Sequence, residues 1–169
     1  DLADLDGDGD TDVAADAVLY FNDGSGSFTT GPTMAARITH VVDLNNDGTK
    51  DLVMRGRTAL GLGGGAFAPA VAYPFFVPAS GIEAVADFDH DGDLDIAEIA
   101  YGTNAGQESA MLINDGTGAF TATTPLAGLG EVDMNSGPMV RAVVAGDVNG
   151  DGLTDIARYP GILGSNTTT

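Results

Sequence analysis

The sequence predicts an all-β protein built from repeated four-stranded units, and three observations carry that prediction. An Asp-rich nine-residue window recurs four times along the 169 residues. A glycine-rich turn recurs in phase with it. Between the two, short apolar runs alternate with polar residues, and no stretch keeps a helical period over a useful length.

The four windows are Asp4–Asp12 (DLDGDGDTD), Asp43–Asp51 (DLNNDGTKD), Asp87–Asp95 (DFDHDGDLD) and Asp147–Asp155 (DVNGDGLTD), and all obey D-x-[DN]-x-D-G-x-x-D. Their starts are 39, 44 and 60 residues apart. A period of about 40 residues suits a four-stranded propeller blade, with one longer insertion. The second signal is Asn22-Asp23-Gly24-Ser25-Gly26-Ser27-Phe28 and its near copy Asn114-Asp115-Gly116-Thr117-Gly118-Ala119-Phe120. Gly61-Leu62-Gly63-Gly64-Gly65-Ala66-Phe67 is a degenerate third. Asn/Asp-Gly pairs between apolar runs signal tight hairpins, because glycine reaches positive φ without steric cost.

Each unit therefore reads as strand, acidic loop, strand, short connection, strand, glycine-rich turn, strand. The second unit has expected strands at 35–42, 52–55, 58–62 and 67–71, and the third at 82–86, 96–101, 110–113 and 120–123. The first is expected to lack its opening strand. The fourth, with strands at 140–145, 156–159 and 162–163, is expected to lack its last. The expected architecture is a single repeat domain, an incomplete propeller with blades at 1–32 (partial), 33–78, 79–130 and 131–169 (partial). Because the chain opens directly on an acidic loop, it reads as a processed or partial product.

Composition agrees with a packed β body. The formal charge is −19, from 6 Lys+Arg against 25 Asp+Glu, yet 43% of residues are hydrophobic and 25 are glycine. Sixteen of the 21 aspartates fall inside the four windows. Acid concentrated in this way binds cations, and nucleic acid and anionic membrane are poor partners for it. There are no cysteines, which excludes disulfides and Cys-ligated zinc. No apolar run is long enough to span a membrane, so insertion is not expected.

The windows have the pattern of a calcium loop. Calcium takes about six to eight oxygens at roughly 2.3–2.6 Å. Carboxylates or amide oxygens at loop positions 1, 3 and 5 converge if the chain curls around the ion, and glycine at position 6 permits the sharp turn. These are Asp4, Asp6 and Asp8; Asp43, Asn45 and Asp47; Asp87, Asp89 and Asp91; Asp147, Asn149 and Asp151. Position 7 offers a backbone carbonyl, so its side chain varies: Asp10, Thr49, Asp93 and Leu153. Position 9 is Asp12, Asp51, Asp95 and Asp155, placed to close the shell. About four ions are expected, and magnesium, strict about octahedral geometry, fits less well. An EF-hand needs Glu at position 12 between helices. Only the third loop has one, Glu98, and its flanks read as strands, so Glu98 is taken as coincidental. Helical dockerin pairs, cysteine-bearing thrombospondin repeats and the Gly-Gly-x-Gly-x-Asp nonapeptide also fail to match.

With their following apolar strands and the N-D-G-x-G-x-F turns, these loops resemble the FG-GAP/VCBS repeat family, best known from integrin α-subunit propellers. The resemblance covers nearly the whole chain. It implies propeller blades with calcium in the loop between the first and second strands. It also implies an extracellular or cell-surface setting, where related repeats serve adhesion proteins, lectins and accessory regions of secreted enzymes. Family propellers usually have about seven blades. The shortfall leaves three readings open: a fragment of a larger propeller, closure with another copy, or a fibre joined head to tail by strand completion.

Catalysis finds little support. The two histidines, His40 and His90, have no nucleophile motif beside them, and calcium claims most of the aspartates. The expected role is a structural or adhesive calcium-binding module, with other copies, missing blades or extracellular proteins as partners. A glycan-binding, lectin-type role is the alternative. Its candidate residues are Tyr73, Phe75 and Phe76 in an apolar stretch, and Asn104 and Gln107 in a polar connection. Arg55-Gly56-Arg57 reads as a turn, not an adhesion signal. Asn166-Thr167-Thr168 matches a glycosylation acceptor pattern.

Overall fold

A computed structural model describes residues 1–74, 81–100, 109–123 and 139–161. The chain forms two compact units, Asp1–Pro74 with Asn114–Thr121, and Phe75–Ile113 with Ala122–Thr169. Every regular element among the described residues is a β-strand. No helix there is long and apolar enough to cross a membrane.

In the first unit, β1 (Leu2–Ala3), β2 (Asp12–Ala15), β3 (Val18–Asn22) and β4 (Phe28–Thr33) form an antiparallel sheet in sequence order. The opening strand expected to be missing is therefore present. It has only two residues, Leu2 and Ala3, paired with Val13 and Asp12. Two residues are too few for alternation to be visible in the sequence.

The second sheet contains β5 (Ile38–Val42), β6 (Asp51–Met54), β7 (Arg57–Ala59) and β10 (Val71–Ala72), in the order β10-β7-β6-β5. Here the expectation needs a correction. The strand expected at 58–62 breaks at Leu60, and β8 (Gly61–Gly63) pairs with β9 (Ala66–Phe67) as a separate hairpin. The outer strand of the blade is Val71–Ala72, further along the chain than expected. Three consecutive glycines, 63 to 65, all have positive φ, and they turn this hairpin within two residues.

Leu5, Ala14, Leu19, Ile38, Leu52, Met54 and Ala59 form the core of this unit. All four residues of β6 are buried, as for a strand covered on both faces. Full burial of one such leucine contributes about 1.5–3 kcal/mol. Leu5 and Leu44, at position 2 of their loops, are 5% and 0% exposed, so these two acidic loops are each anchored by a buried second residue.

A further antiparallel sheet runs in sequence order through β11 (Gly81–Ala86), β12 (Asp95–Ala100), β13 (Ala110–Asn114) and β14 (Phe120–Thr123), of which Asn114 and the first two residues of β14 belong to the first unit and the rest to the second. These match the expected strands to within a residue or two. The strands β15 (Met139–Gly146) and β16 (Asp155–Gly161) form a two-stranded sheet. The segment 162–163, read as a further strand, lies outside the described residues. Ala84, Ala97 and Ile99 form a second core, against which Phe88, Met111, Val143, Ala145 and Ile156 pack. All four acidic loops run from the first strand of a sheet to its second, as the sequence indicated.

Candidate metal centres

Each loop begins with an aspartate that folds the chain back on itself. The position 1 carboxylate accepts the N–H of the position 6 glycine in all four: Asp4 from Gly9 at 3.0 Å, Asp43 from Gly48 at 2.9 Å, Asp87 from Gly92 at 3.1 Å and Asp147 from Gly152 at 2.9 Å. Position 5 accepts the N–H of position 7, as Asp8 from Asp10 at 2.9 Å, Asp47 from Thr49 at 2.7 Å, Asp91 from Asp93 at 2.9 Å and Asp151 from Leu153 at 2.8 Å. Position 3 turns inward by accepting the N–H of position 5 through Asp6, Asn45, Asp89 and Asn149. The four loops thus share one backbone path.

Two left-handed residues make that path possible. Position 6 is always glycine, with φ from 87° to 98°. Position 4 is also left-handed in every loop: Gly7 at 84°, Asn46 at 57°, His90 at 65° and Gly150 at 80°. The sequence reading left position 4 without a role. Its signal was nevertheless there, since Gly, Asn and His are residues that tolerate this region.

Position 9 holds a second surprise. Asp12, Asp51 and Asp95 are fully buried. Each accepts the backbone N–H of position 2: Leu5 at 2.8 Å, Leu44 at 2.7 Å and Phe88 at 2.9 Å, with Val148 donating to Asp155 at 3.0 Å. The other oxygen of Asp12 accepts Asn22 N–H at 2.8 Å, and that of Asp51 accepts Gly61 N–H at 2.7 Å. Asp12 thereby ties its loop to β3, the third strand of its sheet, and Asp51 ties its loop to β8, the first strand of the separate hairpin. Burial raises the Asp51 carboxyl above the ordinary range, against the lowering effect of the Gly61 and Leu44 N–H groups.

Ligand atoms of Asp4, Asp6 and Asp8 lie within 4.8 Å of one another, as do those of Asp87, Asp89 and Asp95. Between them the two groups occupy positions 1, 3, 5 and 9, the side-chain positions expected to supply ligands. Desolvation and then the neighbouring charges of Asp8, Asp12 and Asp4 raise Asp6, outweighing its backbone hydrogen bond. In loops two and four, Asn45 and Asn149 replace one carboxylate, and their amides donate to Asp47 at 2.9 Å and Asp151 at 3.0 Å. One oxygen stands out. Asp87 Oδ1 is buried and has no hydrogen-bond partner, while its Oδ2 accepts Gly92 N–H. An orphaned carboxylate oxygen beside Asp89 and Asp95 is an all-oxygen donor set of the kind a hard divalent cation takes.

The glycine-rich turns are built as a pair. Asp23 and Asp115 each cap their turn, accepting Ser25 N–H at 2.9 Å and Thr117 N–H at 3.0 Å. The side-chain hydroxyls of Ser25 and Thr117 add a second bond and hold both carboxyls below the usual range. Within the first unit, Asn114 donates to Leu44 O at 2.7 Å in a buried contact, which ties the second turn to the second acidic loop.

The remaining candidates divide. Tyr73, read as a sugar-stacking residue, is 7% exposed. Its hydroxyl donates to Met54 O at 3.2 Å, and its ring meets Phe120 edge-on at 6.2 Å. It fills the core, and presents no face to a ligand. Phe75, Phe76, Asn104, Gln107 and Asn166 lie outside the described residues. Glu98 sits within β12, fully buried and opposite Glu83 in register, which is no EF-hand setting.

Residues 87–157 match the FG-GAP-like repeat family. A solved lectin from Agrocybe aegerita, described as specifically recognising non-reducing terminal N-acetylglucosamine, is similar in structure over 93% of this chain. The TM-score is 0.63 and the sequence identity 26%, and this chain spans 45% of the lectin's length. No curated protein matches the chain. With its four-stranded antiparallel sheets and repeated loops, the chain has a propeller-type repeat fold, and residues 87–157 are similar to FG-GAP-like repeats.

Proposed function

We propose that the chain is a non-catalytic, calcium-binding repeat module of an extracellular or cell-surface protein, in which calcium stiffens the junction of the first two strands of each blade. The orphaned Asp87 Oδ1, buried beside Asp89 and Asp95, carries this reading, because a buried carboxylate oxygen without a donor calls for a cation. Asp4, Asp6, Asp8 and Asp12 would hold the first ion; Asp43, Asn45, Asp47 and Asp51 the second. Asp87, Asp89, Asp91 and Asp95 would hold the third; Asp147, Asn149, Asp151 and Asp155 the fourth. Carbonyls of Asp10, Thr49, Asp93 and Leu153 would complete the shells. The ion's contribution is charge neutralisation where three to five carboxylates crowd together in each loop.

Extracellular modules bind calcium with dissociation constants of about 10⁻⁴–10⁻³ M. At roughly 1 mM calcium and 10⁻⁴ M affinity, linkage supplies about 1.4 kcal/mol per site, or about 5–6 kcal/mol over four. That is comparable with the whole stability of a small domain. Isothermal titration of the chelated protein tests the reading: calcium should bind at about four sites and magnesium much more weakly. Equal affinity for the two ions would count against it.

Similarity to a lectin favours glycan binding as a second reading. With Tyr73 in the core, that reading falls to surfaces other than the Tyr73 ring. A glycan array in calcium decides it: terminal N-acetylglucosamine binding supports a lectin role, and an array with no signal leaves the structural role.

A further inference from the structure

The glycine-rich turns recur in phase with the acidic loops, and within the first unit two of them touch the loop of the preceding blade. The turn that opens at Asn114 reaches the loop at 43–51. The Asn114 amide donates to Leu44 O at 2.7 Å in a buried contact. Its side-chain oxygen accepts the N–H groups of Gly116 at 3.2 Å and Gly118 at 3.1 Å, so one side chain shapes the turn and ties it to the loop. Gly118, the fifth residue of the turn, stands against Leu60, where an added Cβ would lie 2.8 Å from Leu60 Cδ2.

Both contacts converge on Asp51. Leu44 N–H holds one oxygen of that buried carboxylate and Gly61 N–H, directly after Leu60, holds the other, each at 2.7 Å. The turn therefore bears on both donors of Asp51 from outside the blade that contains them.

The first acidic loop repeats part of this arrangement. Gly65, the fifth residue of the degenerate turn that starts at Gly61, would place a Cβ 2.7 Å from Phe21 Cζ and 3.4 Å from Asp6 Cβ. Phe21 directly precedes Asn22, whose N–H holds Asp12 at 2.8 Å. In both cases the fifth glycine presses on the residue before the donor that holds a position 9 aspartate. Gly26 is the fifth residue of the first turn, with φ of +87°, and among the described residues a Cβ there would meet nothing within 4 Å. Its φ alone accounts for glycine, whereas Gly65 and Gly118, at +73° and +80°, are contact surfaces as well.

We propose that the glycine-rich turns buttress the acidic loops of the preceding blades, and that the turn at 114–118 raises the calcium affinity of the loop at 43–51 by holding Asp51 in place. Fixing a ligand before the ion arrives lowers the ordering cost of binding. The effect on affinity rests on the calcium reading; the buttress itself does not. NMR of the whole chain tests the two apart. In chelator, Asn114→Ala should speed amide exchange at Leu44 and Gly61 by about three- to tenfold, the equivalent of one hydrogen bond, and leave Leu5 and Asn22 unchanged. In a calcium titration, the N–H groups of Gly9, Gly48, Gly92 and Gly152, each bonded to position 1 of its loop, report the four loops separately. The Gly48 midpoint should rise by a similar factor while the Gly92 midpoint stays, although Asn114 lies closer in sequence to the third loop. Gly65→Ala should raise the Gly9 midpoint, and Gly26→Ala, with comparable φ strain and no contact, should not. Asn114→Ser keeps an oxygen for the turn's N–H groups and loses the reach to Leu44 O, so it should act as Asn114→Ala does even where the alanine protein fails to fold. Unchanged exchange at Leu44 and Gly61, or a Gly92 midpoint that moves as far as that of Gly48, would overturn the buttress. Should all four glycine signals of the parent ignore calcium, the proposed function falls, and amide exchange alone decides the buttress.

Discussion

Replacing Asp51 by alanine separates two roles that one carboxylate combines. Asp51 is fully buried and accepts two buried backbone N–H groups, from Leu44 and Gly61, each at 2.7 Å. A buried donor left without an acceptor costs about 1–3 kcal/mol, so the substitution should cost about 2–6 kcal/mol. Total stabilities are only about 5–15 kcal/mol, so much of the fold's margin is at stake. Asp8→Ala is the matched comparison, since Asp8 is exposed and its bond to Asp10 N–H is replaceable by water. Urea denaturation in chelator and again in calcium reads both. In chelator Asp51→Ala should show its full loss, while Asp8→Ala stays within about 0.5 kcal/mol of the parent. In calcium, Asp8→Ala should become destabilising because a charged ligand is gone. Asp51→Asn, which keeps one acceptor oxygen, should fall between. The reasoning fails if Asp51→Ala in chelator is no worse than Asp8→Ala.

Other perturbations follow from the same geometry. His90 is held at φ of 65°, so His90→Gly should stabilise by a few tenths to about 1 kcal/mol, read as a higher midpoint in urea. Gly118→Ala should destabilise by at least about 1 kcal/mol, because its φ is +80° and its Cβ would stand 2.8 Å from Leu60 Cδ2; thermal melting checks this. Tyr73→Phe should cost about 1 kcal/mol through the lost bond to Met54 O, without changing sugar binding on an array. Burial raises Asp51 above its ordinary value of 3.8, so its charged form opposes folding. In chelator, its contribution to stability should therefore grow as pH falls through the folded pKa and level off below the ordinary value. Asp51→Asn should flatten that rise in a pH series of urea melts.

The features legible in the sequence were those fixed by local chemistry. The third blade's strands were readable because short apolar runs, such as Met111–Ile113, lie between turn signals on either side. The acidic loops were readable because four copies agree at every ligand position. What escaped depended on contacts between segments far apart in the chain. The break at Leu60 follows from three glycines that turn a separate hairpin. Nothing in the loop motif marks the position 9 aspartate as a tie to a later strand, because its partners Asn22 in β3 and Gly61 in β8 lie ten residues on. Tyr73 sits among aromatic residues in the sequence and looked like a stacking surface. Its place is decided by Met54 and Phe120, one 19 residues before it and the other in a different blade.

Differential scanning calorimetry with and without a calcium chelator bears most directly on the idea that cations in the acidic loops hold the blades together. At about 1 mM calcium, a gain of about 5–6 kcal/mol should raise the melting temperature of a chain this size by about 10–20 °C. Identical melting in calcium and in chelator would contradict it, and the four loops would then be turns that merely happen to be acidic.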